Sequence, residues 1–129
     1  MKKLVIIVLA MLLLTACGEE KEDKQGAGYM NITAQQAKEL MDSQTGYVIL
    51  DTRTQEEYDQ GHIPGAINVP NEEIGTAEIT ELPDKSQLIL VYCRSGRRSK
   101  EAAEKLVALG YTNIHEFGGI LDWTGEIEK

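Results

Sequence analysis

The sequence predicts an α/β fold in which a mainly parallel sheet lies between layers of helices. Two observations lead to this class. Short apolar, β-rich runs alternate along the chain with segments of helical periodicity, which is typical of parallel sheets. The run LILVY, residues 88–92, is apolar throughout, as expected of a central strand covered on both faces. Residues 29–129 are long enough for one domain with a single core.

The N-terminus has the pattern of an export signal. Lys2 and Lys3 precede an apolar run at residues 4–14, which is shorter than the roughly 20 residues of a membrane-spanning helix. The following LTAC resembles the lipobox of bacterial lipoproteins, which implies that Cys17 is acylated, for example with palmitate, and becomes the new N-terminus. We therefore expect a signal peptide at residues 1–16 and an exported, membrane-anchored lipoprotein at the cell envelope. The alternative is a buried N-terminal element in which the cysteine has no role.

Residues 17–28 are expected to form the lipidated cysteine and a flexible tether, because GEEKEDKQGAG has no large apolar residue with which to form a core. The formal net charge of −8 becomes about −10 when Lys2 and Lys3 leave with the signal, which argues against a nucleic-acid partner. His62, His115 and one thiol lack the spacing of a metal site, and no motif predicts a cofactor. We expect a monomer.

The first half of the domain contains two predicted helix starts around one strand. TAQQ at residues 33–36 has the form of a capping box, and the apolar spacing behind it predicts a helix over 34–42. YVILD at residues 47–51 predicts a buried strand. TQEE at residues 54–57 is a second capping box, which begins a short helix that ends at the Gly61 turn.

The second half supplies further strands and the longest helix. In HIPGAINVP, Ile67 and Val69 predict a short strand limited by prolines. An apolar stripe of helical period predicts a helix over 98–109, closed by Gly110 in a left-handed conformation. The remaining segments are a weak polar helix and loop at 71–87, a last strand at 113–117, and a turn with a terminal helix at 118–129.

Cys93 is the candidate nucleophile. It lies between the strand at 88–92 and the helix at 98–109, at the edge of an α/β sheet where ligands bind and helix starts present free N–H groups. The tight loop and its three arginines favour the thiolate, which is the reactive form. With Cys17 lipidated, Cys93 has no disulfide partner in the chain. The predicted substrate-binding residues are Arg94, Ser95, Gly96, Arg97 and Arg98.

Three long stretches resemble the single-domain rhodaneses, the thiosulfate sulfurtransferase family: VILDTRTQEEYDQGHIPGAINVP, LILVYCRSGRRS and GGILDW. The resemblance implies a three-layer α/β/α fold whose five-stranded sheet has the order 3-2-4-5-1. It also implies that Cys93 carries a persulfide and moves a sulfane sulfur from thiosulfate, or a similar small anionic donor, to a thiol or cyanide. Asp51, Arg53 and His62 match family positions, and we expect them to position neighbouring loops through buried polar contacts rather than to react.

Three alternatives remain. A cysteine-dependent phosphatase or arsenate reductase has five residues between its cysteine and its arginine, which here would place the arginine at Ser99. Cys93 and Arg98 enclose only four residues, which suits a single sulfur atom better than a phosphate, and Tyr92 stands where a phosphatase usually has histidine. A non-catalytic module that binds sulfur, an anion or a partner has the same fold. In the last alternative, Cys93 is a small buried side chain beside solvated arginines.

Overall fold

The computed structural model describes residues 28–75 and 77–129. The predicted signal peptide at residues 1–16, the lipidated Cys17 and the tether up to residue 27 lie outside the described residues. Within the described part of the chain, no helix is both long enough and apolar enough to cross a membrane.

The described residues form a five-stranded sheet in which every neighbouring pair of strands is parallel. The strands are β1 (Met30–Asn31), β2 (Val48–Asp51), β3 (Ile67–Asn68), β4 (Ile89–Cys93) and β5 (Ile114–Gly119). Their order across the sheet is β1-β5-β4-β2-β3, which is the order implied by the resemblance, counted from the opposite edge. The predicted fold class is therefore confirmed, although β1 is too short for any sequence pattern to have predicted it.

The described residues contain three α-helices, and local sequence explains where two of them begin. They are α1 (Ala34–Ser43), α2 (Gln55–Gln60) and α3 (Arg97–Ala108). Thr33 Oγ1 accepts a hydrogen bond from the Gln36 N–H at 3.0 Å, and Thr54 Oγ1 accepts one from the Glu57 N–H at 3.1 Å. Both predicted capping boxes are confirmed, and Gly110 follows α3 with a φ of 100°, as predicted for a left-handed cap.

The central strand β4 separates two apolar cores. All of its residues are buried, and successive side chains point to opposite faces of the sheet. Val91 belongs to the core under α3 together with Leu106, whereas Leu90 belongs to the opposite core together with Ala37 of α1. Each buried side chain of this size contributes about 1.5–3 kcal/mol. Packing on both faces therefore holds β4, and the cysteine at its end, in a fixed position.

The helical segment predicted within residues 71–87 is wrong. Its described residues contain one turn of 3-10 helix, Asn71–Glu73, and no α-helix. The Asn71 N–H donates to the Thr52 carbonyl, and the Lys105 ammonium donates to the Asn71 side chain. These contacts with distant residues hold the backbone in a turn, and the segment has no apolar stripe that would favour a longer helix.

The predicted terminal helix is also wrong. A 3-10 turn at Ile120–Asp122 is followed by an extended segment that pairs antiparallel with His62. The N–H groups of His62 and Glu128 each donate to the carbonyl of the other at 2.8 Å. Trp123 folds back so that its indole N–H donates to the Glu126 carbonyl at 2.9 Å. Tertiary hydrogen bonds thus replace the intrahelical bonds that the local pattern favours.

Candidate active site

The cysteine loop joins the end of β4 to the start of α3. Cys93 is the last residue of β4, and only 1% of its surface is exposed. Gly96, immediately before α3, has a φ of 117°, a conformation that favours glycine. This turn directs the Gly96 N–H to Cys93 Sγ, 3.0 Å away. The backbone of the loop therefore holds the sulfur by a hydrogen bond donated to it.

The start of α3 differs from the starts of the other two helices. Thr33 caps α1 and Thr54 caps α2, but no side chain caps α3. The first N–H groups of a helix have no partner within the helix, and together with the helix dipole they attract anions. Cys93 thus lies beside a helix start whose N–H groups can bind a negative group.

An irregularity in β5 forms the opposite wall of the site. The pairing of β4 with β5 is regular up to Glu116, but Cys93 pairs with Gly119, so that β5 contains one extra residue. Gly118 has a φ of 84°, which is typical of such a bulge. A Cβ on Gly119 would lie 1.9 Å from the Arg94 carbonyl oxygen. Only glycine at this position therefore lets β5 approach the cysteine loop so closely.

A buried carboxylate lies behind the thiol. Glu116 has no exposed surface, and its Oε2 accepts hydrogen bonds from Ser99 Oγ at 2.5 Å and from the Gly118 N–H at 2.8 Å. Its Oε1 accepts a hydrogen bond from Asn31 Nδ2 at 2.5 Å. Cys93 Sγ lies 3.4 Å from the same Ser99 Oγ. A chain of hydrogen bonds therefore connects the thiol to Glu116 through Ser99.

Neither Ser99 nor Glu116 belongs to the predicted site. One signal in the sequence points to Glu116, since it stands two residues after Ile114 in a predicted strand and must share the face of that apolar residue. A charged side chain on the core face of a strand needs hydrogen-bond partners. No comparable signal identifies Ser99, because its bond to Glu116 joins residues of different elements.

The three arginines of the loop have different surroundings. Arg98 forms a bidentate ion pair with Glu57 of α2, with N–O distances of 2.8 and 3.1 Å. Arg97 pairs with Glu101 at 3.0 Å on the surface of α3, and its side chain is 74% exposed. Arg94 is exposed, and none of the described residues forms an ion pair with it. The structure therefore provides carboxylate partners for two of the three arginines.

The ion pair between Arg98 and Glu57 favours the charged forms of both side chains. Hydrogen bonds from Arg98 lower the pKa of Glu57 from 4.5 to about 2. The same hydrogen bonds raise the pKa of Arg98, and the charge on Cys93 contributes in the same direction. Of the predicted binding residues, Gly96 contacts the sulfur and Arg98 lies near it, while Ser95 is exposed at the rim of the loop.

A second polar cluster lies between β2, β4 and α2. Asp51 accepts hydrogen bonds from Arg53 Nη2 at 2.7 Å, from Arg53 Nε at 3.0 Å and from the Tyr92 hydroxyl at 2.7 Å. Arg53 also donates to the Gly61 carbonyl at 2.7 Å. Burial acts to lower the pKa of Arg53, but hydrogen bonds to Asp51 and its charge outweigh this effect and raise it. Burial, together with the charge of Asp51, raises the pKa of Tyr92.

His62 joins α2 to the terminal segment. Its ring stacks on the Tyr58 ring with the centroids 3.7 Å apart. His62 Nδ1 lies 2.9 Å from the Tyr58 carbonyl oxygen, and Nε2 lies 3.3 Å from a Glu128 carboxylate oxygen. The structure thus places Asp51 and Arg53 in one cluster with His62 beside it, separate from the cysteine loop.

A cleft of about 390 Å³ lies next to the loop. Arg53 and Glu57 line one side, Arg94 extends from the cysteine loop, and the partly exposed Leu121 and Ile127 supply apolar surface. A small molecule in this cleft would meet both a guanidinium and an apolar wall. Among residues 28–75 and 77–129, no group of three or more histidine, cysteine or acidic side chains is placed to hold a metal ion.

The parallel sheet has a central strand that ends in a buried cysteine, and a left-handed glycine and a helix without a side-chain cap follow it. These features define a class of α/β domain with a thiol at the carboxyl edge of its sheet. The family described as the rhodanese-like domain matches residues 33–126. The protein belongs to this family.

Its relatives include proteins that are named for sulfur transfer. The thiosulfate sulfurtransferase PspE of Escherichia coli is 42% identical over 73 residues, covering 57% of this chain and 70% of that protein. Thiosulfate sulfurtransferase 18 of Arabidopsis thaliana is 36% identical over 102 residues, covering 70% of this chain and 74% of that protein. A solved structure of a rhodanese with anions from E. coli is 38% identical, with a TM-score of 0.60, and the match covers 64% of this chain and 98% of that one.

Proposed function

We infer that the protein is a sulfurtransferase in which Cys93 takes a sulfane sulfur from thiosulfate, or a similar small anionic donor, and passes it to a thiol or cyanide. The observation that carries this proposal is the position of Cys93 Sγ beside the uncapped start of α3, with the Gly96 N–H donating to it at 3.0 Å. The thiosulfate sulfurtransferases among its relatives support the choice of donor. Export and anchoring through Cys17 stay predictions of the sequence.

The proposed reaction has two steps. The Cys93 thiolate attacks the outer sulfur of thiosulfate, a new S–S bond forms, and the S–S bond of thiosulfate breaks with its electron pair leaving on sulfite. The resulting persulfide is anionic, so the total charge is unchanged. A thiolate or cyanide then attacks the outer sulfur of the persulfide, and the Cys93 thiolate leaves. The N–H groups at the start of α3 stabilise the negative sulfur in both steps.

Access to the sulfur requires a local movement of the loop, because only 1% of Cys93 is exposed. Arg94 belongs both to the loop and to the neighbouring cleft, so an anion held there would lie next to the loop. The guanidinium of Arg94 has no carboxylate partner among the described residues and is free to bind the donor's sulfonate group. The apolar wall formed by Leu121 and Ile127 suits the carbon chain of a thiol acceptor.

The cradle is poorly suited to phosphate. The hydroxyl of Ser99, at the position of a phosphatase arginine, donates to the buried carboxylate of Glu116. A phosphatase supplies a guanidinium at this position, whereas Ser99 brings no positive charge to a bound phosphate. The anionic persulfide carries a single charge on its outer sulfur, and the free N–H groups at the start of α3 can stabilise this charge.

Mass spectrometry of the protein after treatment with thiosulfate tests the proposal. The wild type should gain the mass of one sulfur atom on Cys93, and the Cys93→Ser protein should gain none while keeping its circular dichroism spectrum. Transfer to cyanide should show parallel double-reciprocal plots, as expected when the sulfur is held covalently between two substrates. A wild type that gains no sulfur but hydrolyses aryl phosphates would be a phosphatase, and one that binds thiosulfate without either reaction would be a binding module.

A further inference from the structure

Glu116 is a buried acid that the proposed sulfur transfer does not yet use. Of the two fully buried carboxylates among the described residues, Asp51 faces the guanidinium of Arg53. Within residues 28–75 and 77–129, the hydrogen-bond donors to Glu116 are all neutral, namely a serine hydroxyl, a side-chain amide and a backbone N–H. Burial without a cation disfavours the negative charge of such a group, whereas the hydrogen bonds that it accepts favour the charge, so the surroundings are compatible with both the carboxylate and the carboxylic acid.

The hydrogen bonds at Ser99 indicate which way a proton can move. Ser99 Oγ has four close neighbours, of which three are acceptors: the Gly96 carbonyl at 3.0 Å, the Gly118 carbonyl at 3.2 Å and Glu116 Oε2 at 2.5 Å. The fourth neighbour, Cys93 Sγ at 3.4 Å, carries a proton when it is a thiol. The thiol therefore donates to Ser99 Oγ. Ser99 in turn donates its hydroxyl proton in its shortest hydrogen bond, to Glu116.

We propose that Glu116 is a positioning residue that acts through Ser99 to hold the proton of the Cys93 thiol. The S–H proton passes to Ser99 Oγ as the Ser99 hydroxyl proton passes to Glu116 Oε2. A thiol and a carboxylate thereby become a thiolate and a neutral carboxylic acid, with no proton released to solvent and one negative charge shared throughout. The inference rests on the proposed function, since it supplies the nucleophile that sulfur transfer needs.

The other charged groups around Cys93 and Glu116 do not replace Glu116 as the acceptor of the thiol proton. On α3, Arg98 is already paired with a glutamate of α2, and the Lys100 ammonium lies beside Gly96, 3.7 Å from the position of a Cβ there. Neither side chain donates a hydrogen bond to Glu116. Next to β1, burial raises the pKa of Tyr29, and the charges of Glu104 and Glu116 raise it further, so this phenol stays neutral. On β4 the neighbouring titratable group is Cys93 itself. If Cys93 and Glu116 were both ionised, two buried negative charges would lie close together. Transfer of the thiol proton to Glu116 leaves a single negative charge on the pair.

A titration of the thiolate in the full-length protein tests the proposal. Ultraviolet absorbance of the thiolate is followed from about pH 4 to about pH 9, and Cys93→Ser serves as the blank that also subtracts Cys17. The wild type should titrate in two steps with a plateau between them, because two coupled groups share one proton there. Glu116→Gln should titrate in one step. Ser99→Ala should keep two steps but lower the plateau by about tenfold, because the thiolate loses the hydrogen bond from Ser99.

Glu104→Gln is the matched control, since Glu104 is an exposed acid of α3 outside the chain of hydrogen bonds, and its curve should equal that of the wild type. A single step in the wild type, two steps in Glu116→Gln, or an unchanged plateau in Ser99→Ala overturns the proposal. Circular dichroism verifies folding. If Glu116→Gln does not fold, Glu116→Asp replaces it, and its shorter side chain should lower the plateau as Ser99→Ala does.

The two proposals fail in different ways. A wild type that forms the persulfide but titrates in one step overturns the proton transfer and leaves sulfur transfer standing. A wild type that titrates in two steps but forms no persulfide does the reverse, because the titration involves no sulfur donor.

Discussion

Two buried carboxylates lie on either side of the central strand β4, and the groups that bind them differ. Asp51, at the end of β2, accepts hydrogen bonds from Arg53 Nη2 and from the Tyr92 hydroxyl, both at 2.7 Å. Glu116, in β5 on the other side, accepts hydrogen bonds from Ser99, Asn31 and a backbone N–H. Both side chains have no exposed surface.

The difference is between an acid that is paired with a cation and an acid that accepts hydrogen bonds from neutral donors. The Asp51 carboxylate forms an ion pair with the guanidinium of Arg53 and a hydrogen bond with the Tyr92 hydroxyl of β4. A carboxylate beside hydroxyl, amide and N–H groups can gain a proton without leaving a buried cation unpaired. Glu116 is such a group, and its hydrogen-bonded chain leads to a thiol.

The largest effect is expected on stability. Asp51→Asn leaves the buried guanidinium of Arg53 without its counter-charge and should reduce the free energy of unfolding by about 3–5 kcal/mol. Glu116→Gln leaves no buried cation without a counter-charge and should change the free energy of unfolding by about 1 kcal/mol or less. Urea denaturation at neutral pH measures both. Equal losses in the two variants would show that the two acids have the same structural role.

An intermediate effect is expected at the Arg98–Glu57 pair, whose side chains are 23% and 28% exposed. The pKa of Glu57 is lowered from 4.5 to about 2, so folding favours its charged form. The resulting stability is fully present above about pH 4.5 and is lost as the pH falls through about 2.

Glu57→Gln should therefore be less stable than the wild type by about 1–2 kcal/mol at neutral pH, since solvent screens a partly exposed pair. The difference between the two proteins should disappear as the pH falls to about 2. Urea denaturation at a series of pH values measures this difference. A difference that stays constant at all these pH values would attribute the loss to packing or capping rather than to the ion pair.

The smallest effect separates two arginines of the loop. Arg94→Gln should raise the KM for thiosulfate about fivefold, the factor that corresponds to about 1 kcal/mol, because Arg94 lines the cleft and has no carboxylate partner among the described residues. Arg97→Gln, which disturbs only a surface pair with Glu101, is the matched control and should change KM less than about twofold. Steady-state kinetics with thiosulfate and cyanide distinguish them, and equal KM values in all three proteins would remove Arg94 from donor binding.

Local sequence predicted what depends on local contacts. The capping boxes at Thr33 and Thr54 and the left-handed Gly110 join residues a few positions apart, and the structure confirms them. The place of Cys93 at the end of the central strand followed from the apolar run before it.

The remaining features depend on contacts between distant elements. The hydrogen bond from Ser99 to Glu116 requires the bulge in β5, and the partner of Arg98 is a glutamate of another helix. The terminal segment is extended because its backbone pairs with His62. No periodicity or spacing within one segment encodes these pairings, so a pattern read along the chain cannot contain them.

The hydrogen bond from the Gly96 N–H to Cys93 Sγ makes the backbone a reporter of the sulfur's chemical state. The resonance frequency of an amide proton depends on the charge and distance of its acceptor. Nuclear magnetic resonance of isotope-labelled protein can therefore follow one glycine signal as the sulfur changes between the thiol, the thiolate and the proposed persulfide. The chain thus carries its own spectroscopic probe at the sulfur, with no group attached to the cysteine.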